Sequence, residues 1–234
     1  MHKKLFSDFQ KLAFRLSYSD ALNVIVNSIL LPVCIGAHED YKIDDTIALH
    51  SLNDKERIIL KEILSEIGNL MEHGHEPLGD LFMEYVSKGK NGQYFTPMDI
   101  CNFMQQLVFG DIIRENSKPK NVSDPACGSG RMLLAAAVPN KNLHCYGTDI
   151  DDQCCRMAAA NMILHNLIAD IACGNELSLK FSHGYIIRRT PGINFPTLQI
   201  VKYVADETVK PQPQNMILPN PKSENEKWTQ GSLF

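Results

Sequence analysis

Three short strand-like segments alternate with two helix-like segments between residues 121 and 175, and this alternation restricts the fold more than any other feature of the chain. The strand-like segments read "NVSD", "LHCYGTDI" and "ADIACGN", and the helix-like segments read "GRMLLAAA" and "DDQCCRMAAANMILHNL". Strands that alternate with helices in this way open a doubly wound parallel sheet. We therefore predict an α/β, Rossmann-like fold that binds its ligand at the carboxyl edge of the sheet.

A glycine turn follows the first of these strands, in "SDPACGSGRMLL" at 123–134. It matches neither the G-x-G-x-x-G motif of dinucleotide-binding proteins nor the lysine-containing loop that binds nucleoside triphosphates. Asp124 and Asp149 close successive strands, so both belong to one sheet edge. There Asp149 can accept hydrogen bonds from ribose hydroxyls, and Ile150 can cover an adenine face. The pattern suits S-adenosylmethionine, whose positive charge also suits Asp124.

Four motifs occur in a fixed order, with "FTP" at 95–97, "DPACGSGRML" at 124–133, "GTDID" at 147–151 and "GNELS" at 174–178. Together they resemble the N6-adenine DNA methyltransferases, above all the modification subunits of type I restriction systems and related single-chain enzymes. The resemblance covers roughly residues 77–180. Each motif alone is weak, but the ordered set is specific.

The resemblance implies an S-adenosylmethionine-dependent methyltransferase domain with a defined set of cofactor contacts. Simpler roles stay open for single residues, since Phe95 suits a core position and Asp149 suits a helix cap. The implied contacts are Tyr94, Phe95, Thr96 and Pro97 at the methionine end, Asp124, Cys127, Gly128 and Gly130 in the loop, Asp149 and Ile150 at the ribose and adenine, and Asn175 at the adenine edge.

The catalytic motif of the resembled family is degenerate in this chain. That family carries N-P-P-F or N-P-P-Y after its fourth strand, where the Asn and a backbone carbonyl bind the amino group of a flipped adenine. The nearest match is "MILPNPKSEN", in which Asn220 and Pro221 are kept while Lys222 and Ser223 replace the second proline and the aromatic residue. Stacking on an aromatic side chain is worth about 1–3 kcal/mol per base. We therefore expect the chain to have weak or no activity alone.

Two hypotheses of different classes follow. In the first, the chain is an S-adenosylmethionine-binding, adenine-specific DNA methyltransferase-like protein of a restriction-modification or mobile-element system. In the second, it is a catalytically inactive, methyltransferase-like adaptor. The formal net charge of −4 argues against a wide, independent DNA-binding surface, because nucleic-acid-binding proteins neutralise phosphates with basic side chains. We therefore expect DNA contact to depend on a partner subunit.

Sequence composition divides the chain into three regions. Residues 1–90 carry amphipathic stripes and are predicted to be helical, with Ser19 or Asp20 capping the second helix. Residues 91–207 form the predicted methyltransferase-like domain, which ends in one or two strands. Residues 208–234 are rich in proline and polar residues, and we expect a flexible tail.

The last five residues, "QGSLF", resemble the peptide by which bacterial proteins engage the DNA polymerase sliding clamp. Leu233 and Phe234 would each contribute roughly 1.5–3 kcal/mol when buried in a partner's pocket, before ordering costs. Gln230 offers a donor and an acceptor that fix the register. A chance pentapeptide, or a tail that folds back on its own domain, stays open as the alternative.

The seven cysteines form no C-x-x-C pair and have no companion histidine spacing, so the sequence predicts no metal site. Most lie in apolar or helical contexts typical of reduced thiols, which favours a cytoplasmic protein. The N-terminal "MHKKLFSDF" lacks the apolar run of a signal peptide. The longest apolar stretch, around residues 21–35, is interrupted by Asn and Pro, so we expect no membrane span.

Overall fold

The computed structural model describes residues 2–41, 51–87, 93–109 and 121–203. Its centre is one mixed sheet in the order β1-β6-β5-β4-β3-β2. The strands are β1 (Cys34–Ala37), β2 (Asn121–Asp124), β3 (His144–Asp149), β4 (Ile168–Asn175), β5 (Lys180–Arg189) and β6 (Pro196–Lys202). The helices are α1 (Lys3–Leu12), α2 (Tyr18–Leu30), α3 (Asp54–Glu72), α4 (Pro77–Leu81), α5 (Met98–Phe109), α6 (Arg131–Ala137) and α7 (Asp152–Leu164). The predicted α/β class is confirmed.

The first three strands of the predicted alternation, β2, β3 and β4, are parallel neighbours joined through α6 and α7. Asp124 pairs with Gly147, and Asp149 pairs with Cys173, so the acids end neighbouring strands at one edge. The run of alanines in α7 is fully buried, because the helix lies between the sheet and α2. This part of the fold follows the sequence pattern directly.

The next two strands form an antiparallel hairpin. β5 pairs antiparallel with β4, and β6 pairs antiparallel with β5. The connection includes Gly192 with a φ of 83°, a left-handed conformation that favours glycine. The structure thus has two strands where one or two were predicted, and β6 points in the same direction as β4.

The N-terminal region contains a strand in addition to its helices, unlike the purely helical prediction. Cys34–Ala37 forms β1, which pairs in parallel with β6 between Leu198 and Ile200. That partner lies far along the chain, so a local pattern could not predict the pairing. The cap of α2 is Ser17, whose Oγ accepts a hydrogen bond from the backbone of Asp20 at 3.0 Å, and not Ser19 or Asp20. The domain boundaries at residues 90 and 207 stay predictions.

One hydrophobic core joins the helical region to the sheet. Phe9 and Ile25 belong to the same cluster of buried side chains as Ile171 of β4. All seven cysteines have free thiols, and all except Cys34 are buried. None of the described helices combines the length and the apolar character needed to cross a membrane.

Candidate functional site

The glycine turn between β2 and α6 requires bare backbone at two positions. Gly128 and Gly130 have φ angles of 54° and 87°, where side chains are strained. A Cβ atom at Gly128 would lie 2.8 Å from Cε1 of Phe95, and one at Gly130 would lie 3.1 Å from Cε of Met162. The turn therefore packs directly against the "FTP" segment on one side and α7 on the other.

Asp149 joins the glycine turn to the end of β3. Its Oδ2 accepts a hydrogen bond from the backbone of Gly128 at 2.9 Å, and its Oδ1 accepts one from the backbone of Asp151, also at 2.9 Å. A carboxylate has about four acceptor positions, so two remain for the hydroxyls of a ligand. The helix cap is Asp151, which accepts from the backbone of Gln153, so Asp149 is not the cap of α7.

Two further residues of the turn differ in their chemistry. Asp124 accepts a hydrogen bond from the backbone of Ala126 at 3.1 Å, and burial is the main cause that raises the pKa of its carboxyl group. Cys127 is buried, and its backbone N–H donates to Thr148 at 2.8 Å, which holds the turn against β3. Burial raises the pKa of the Cys127 thiol well above its ordinary value, so this side chain is a neutral packing group.

The "FTP" segment lies against the same turn. The side-chain amide of Gln93, just ahead of it, donates to Oδ2 of Asp151 at 2.8 Å. The Phe95 ring stacks on Phe82 with a centroid distance of 5.2 Å, and Tyr94 beside it is 75% exposed. The segment thus gives the site an apolar wall and an exposed aromatic side chain.

A buried carboxylate, Glu76, supports the turn from behind. It is fully buried and accepts hydrogen bonds from four donors. The donors are Arg131 Nε at 2.8 Å, Ser129 Oγ at 2.9 Å, Asn161 Nδ2 at 2.7 Å and the backbone of Gly79 at 2.8 Å. Because each of these partners donates, we take Glu76 to be ionised at neutral pH, although burial raises the pKa of its carboxyl group.

Arg131 extends this network toward the "FTP" segment. Its guanidinium pairs with Asp80, donates to the carbonyl of Thr96 at 3.4 Å and lies 5.8 Å from the centre of the Phe95 ring. The carbonyl of Pro97 then accepts hydrogen bonds in the first turn of α5. The sequence prediction did not include this network, although an arginine at the start of the apolar segment "RMLLAAA" implies a buried partner.

The other predicted contacts lie along the same sheet edge. Ile150 follows Asp149 and is 71% exposed, which leaves its side chain available to a ligand. Asn175 ends β4, and its Oδ1 accepts from the backbones of Leu177 and Ser178, so that oxygen is engaged in a local turn. The structure brings Phe95, the glycine turn and Asp149 together. Their roles as cofactor contacts stay predictions.

The predicted catalytic and clamp-binding residues lie outside the described residues. They are Asn220, Pro221, Gln230, Leu233 and Phe234.

A glycine turn held by the acid of the neighbouring strand gives a candidate ligand site at the carboxyl edge of an α/β sheet. The chain belongs to the N-6 DNA methylase family, whose model matches residues 78–227. This confirms the resemblance inferred from the motifs.

Individual relatives point the same way. The chain is 31% identical over 104 residues to a type I restriction enzyme MjaVIII methylase subunit from Methanocaldococcus jannaschii, a match covering 41% of this chain and 17% of that protein. It is 30% identical over 124 residues to the MpnII methylase subunit from Mycoplasma pneumoniae, covering 46% of this chain and 22% of the relative. A type II methyltransferase, M.VspI from a Vibrio species, is 31% identical over 97 residues, or 40% of this chain and 22% of that enzyme.

The matched segments thus span only 17–22% of the length of these relatives. Among solved structures, a class I S-adenosylmethionine-dependent methyltransferase from Listeria monocytogenes matches with a TM-score of 0.45 and 14% identity. That match covers 82% of this chain and 60% of the other.

Proposed function

We propose that this protein binds S-adenosylmethionine at the glycine turn and serves an adenine-N6 DNA methylation system of the restriction-modification type. Membership of the N-6 DNA methylase family implies this cofactor. The observation that carries the proposal is the hydrogen bond from the backbone of Gly128 to Asp149, which joins bare loop backbone to a strand-end carboxylate. When bound, S-adenosylmethionine supplies an electrophilic methyl group on a positively charged sulfur.

The donors and acceptors of the site suit this cofactor. Asp149 keeps two acceptor positions for ribose hydroxyls after its two backbone hydrogen bonds. Asp124, at the end of the adjacent strand, offers a carboxylate to the positively charged methionine portion. Ile150 exposes an apolar side chain beside the ribose acceptor, where an adenine ring can lie against it.

The relatives support DNA as the substrate and a partner subunit as part of the system. Two of them are named methylase subunits of type I restriction enzymes. The net charge of −4 leaves little attraction for phosphate, so DNA recognition falls to a partner.

One surface of the described residues supports the presence of a partner subunit. Among the described residues, helix α5 has a stripe of apolar side chains at helical spacing that are 42–69% exposed. The side chains of this stripe are Ile100, Phe103, Met104, Leu107 and Val108. An apolar stripe of this kind is ordinarily buried against other protein.

We further propose that methyl transfer by the isolated chain is weak or absent, because Lys222 and Ser223 replace the second proline and the aromatic residue. Calorimetric titration of the full chain with S-adenosylmethionine tests binding. Transfer of a tritiated methyl group to adenine-containing duplex DNA tests activity. We expect binding without turnover. Absence of binding would overturn the cofactor proposal, whereas robust transfer that Asn220→Ala abolishes would overturn the proposed loss of activity.

A second candidate, an adaptor recruited to DNA through a sliding clamp, is favoured by the C-terminal "QGSLF". It predicts that the full chain binds a purified bacterial clamp and that Leu233→Ala with Phe234→Ala removes this binding. Equal binding by the wild-type and the double variant would argue against it.

A further inference from the structure

A compact group of ligand-type side chains lies between β4, β5 and the first turn of α7. Cys173 of β4 and His183 of β5 are direct antiparallel partners, so they share one face of the sheet. Tyr185, two residues after His183, shares that face because strand side chains alternate. Asp152 opens α7 and reaches the same point. None of these residues takes part in the cofactor site proposed above.

The distances within this group are short. Nε2 of His183 lies 2.7 Å from Oδ1 of Asp152, and the hydroxyl of Tyr185 donates to the same oxygen at 2.8 Å. Asp152, Cys173 and His183 each offer one atom that can bind a metal ion, and these three atoms lie within 4.8 Å of one another. The group therefore brings an oxygen, a sulfur and a nitrogen atom close together.

The His183 ring is held on two further sides. Its Nδ1 is 2.9 Å from Oγ of Ser182, and Tyr41 stacks on the ring at a centroid distance of 4.4 Å. Oγ of Ser182 also lies 3.2 Å from the carbonyl oxygen of Cys173. When Ser182 donates to that carbonyl, it accepts from Nδ1–H, and the lone pair of Nε2 faces the Asp152 carboxylate. In this tautomer a proton or a metal ion can lie between Nε2 and the carboxylate.

We propose that Asp152, Cys173 and His183 form a binding site for a divalent transition metal of the zinc type, with a water molecule as the fourth ligand. Thiolate, imidazole and carboxylate are the ligands that zinc takes in proteins, and three protein ligands with one open position are a common arrangement. The hydrogen bond from Nδ1 to Ser182 is the outer contact that orients a metal-binding histidine.

The required movement of Asp152 is small. Zinc bonds of about 2.0–2.2 Å to nitrogen and oxygen separate two tetrahedral ligands by about 3.4 Å. The Asp152 oxygen must therefore retreat from its 2.7 Å contact with His183. Its side chain is 47% exposed at the start of a helix, so it can move and solvent reaches it.

The test uses the full chain after treatment with a chelator. We expect one equivalent of Zn²⁺ to bind and to raise the melting temperature, because a ligand that binds only the folded state stabilises it. Co²⁺ should give a sulfur-to-metal charge-transfer band together with the visible bands of tetrahedral cobalt. Cys173→Ser should remove the charge-transfer band, and His183→Gln should weaken Co²⁺ binding at least about tenfold.

Cys145→Ser is the matched control, because Cys145 is a buried thiol on β3 outside the group, and this variant should keep the full cobalt spectrum. Asp152→Asn alters a ligand that is partly exposed, so it replaces Cys173→Ser as the test variant if Cys173→Ser does not fold. If the folded wild-type chain gives no charge-transfer band with Co²⁺, then Asp152, Cys173 and His183 form a hydrogen-bond network and no metal site, and the proposal is overturned. A band that persists in Cys173→Ser would also overturn it.

Discussion

Nε of Arg131 donates to Oε2 of Glu76 at 2.8 Å, and the two side chains are 9% and 0% exposed. Arg131 is the first residue of α6, directly after the glycine turn, whereas Glu76 precedes α4 in the N-terminal region. The ion pair therefore fixes the turn to a segment far away in the sequence. The shape of the candidate cofactor site depends on the helical region as well as on the sheet.

Replacing Glu76 tests this dependence. Glu76→Gln removes the charge but keeps the size. Among the described residues, this leaves the buried Arg131 with only the partly exposed Asp80 as an ionic partner. Removing one partner of a buried pair costs about 3–5 kcal/mol, and we expect a loss of that size in the free energy of unfolding measured in urea. The control is Glu62→Gln, which breaks the exposed pair with Lys4 and should change stability little. Equal effects of the two variants would contradict the role given to Glu76.

Substitution of Gly128 tests the close packing of the glycine turn. Gly128→Ala places a methyl group 2.8 Å from Phe95 in addition to the strain of a positive φ. Gly192→Ala adds the strain alone, because no atom lies within 4 Å of its Cβ position. The strain is worth about 1–2 kcal/mol in each variant. Thermal unfolding should therefore show a larger loss for Gly128→Ala, and calorimetry should show loss of S-adenosylmethionine binding in that variant only.

Asp149 provides a test of the cofactor contact. Asp149→Asn replaces a charged acceptor with an amide, and the loss of hydrogen bonds to ribose should weaken S-adenosylmethionine binding by about 1–3 kcal/mol, or about 5- to 150-fold. The control is Glu176→Gln, which removes an exposed negative charge near the end of β4. The affinity of this variant for S-adenosylmethionine should stay at the wild-type value. Equal affinities of wild-type and Asp149→Asn in calorimetry would remove Asp149 from the site.

Local sequence signals were enough for the central part of this fold. The alternation of strands and helices predicted β2, α6, β3, α7 and β4, because apolar periodicity and glycine turns act over short distances. The same signals identified Gly128, Gly130 and Asp149 as parts of one edge. The resemblance to a methylase family rests on these residues as well.

The features that the sequence prediction missed depend on distant partners. Strand β1 is four residues long and is recognisable only through its pairing with β6. The pair of Glu76 and Arg131 joins residues that no local pattern connects. Cys173 and His183 have no metal-binding spacing along the chain, yet antiparallel pairing makes them direct neighbours.

The last prediction concerns pH and Asp124. Burial raises the pKa of its carboxyl group above the ordinary value of 3.8, and the nearby Asp149 acts in the same direction. The folded chain therefore binds the proton of Asp124 more tightly than the unfolded chain does. The contribution of Asp124 to stability is fully present below pH 3.8 and is lost as the pH rises through the raised pKa. A positively charged ligand instead favours the carboxylate.

The affinity for S-adenosylmethionine should therefore rise as the pH increases through the raised pKa of Asp124, and then level off. Calorimetric titrations that start near the ordinary pKa of 3.8 and end at neutral pH measure this dependence. Asp124→Asn should bind more weakly at neutral pH, lose this part of the pH dependence and make the unliganded chain more stable there. Because titration of the cofactor itself is common to both proteins, only the difference between them reports on Asp124. Identical pH profiles of the two proteins would show that Asp124 does not face the positive charge of the cofactor.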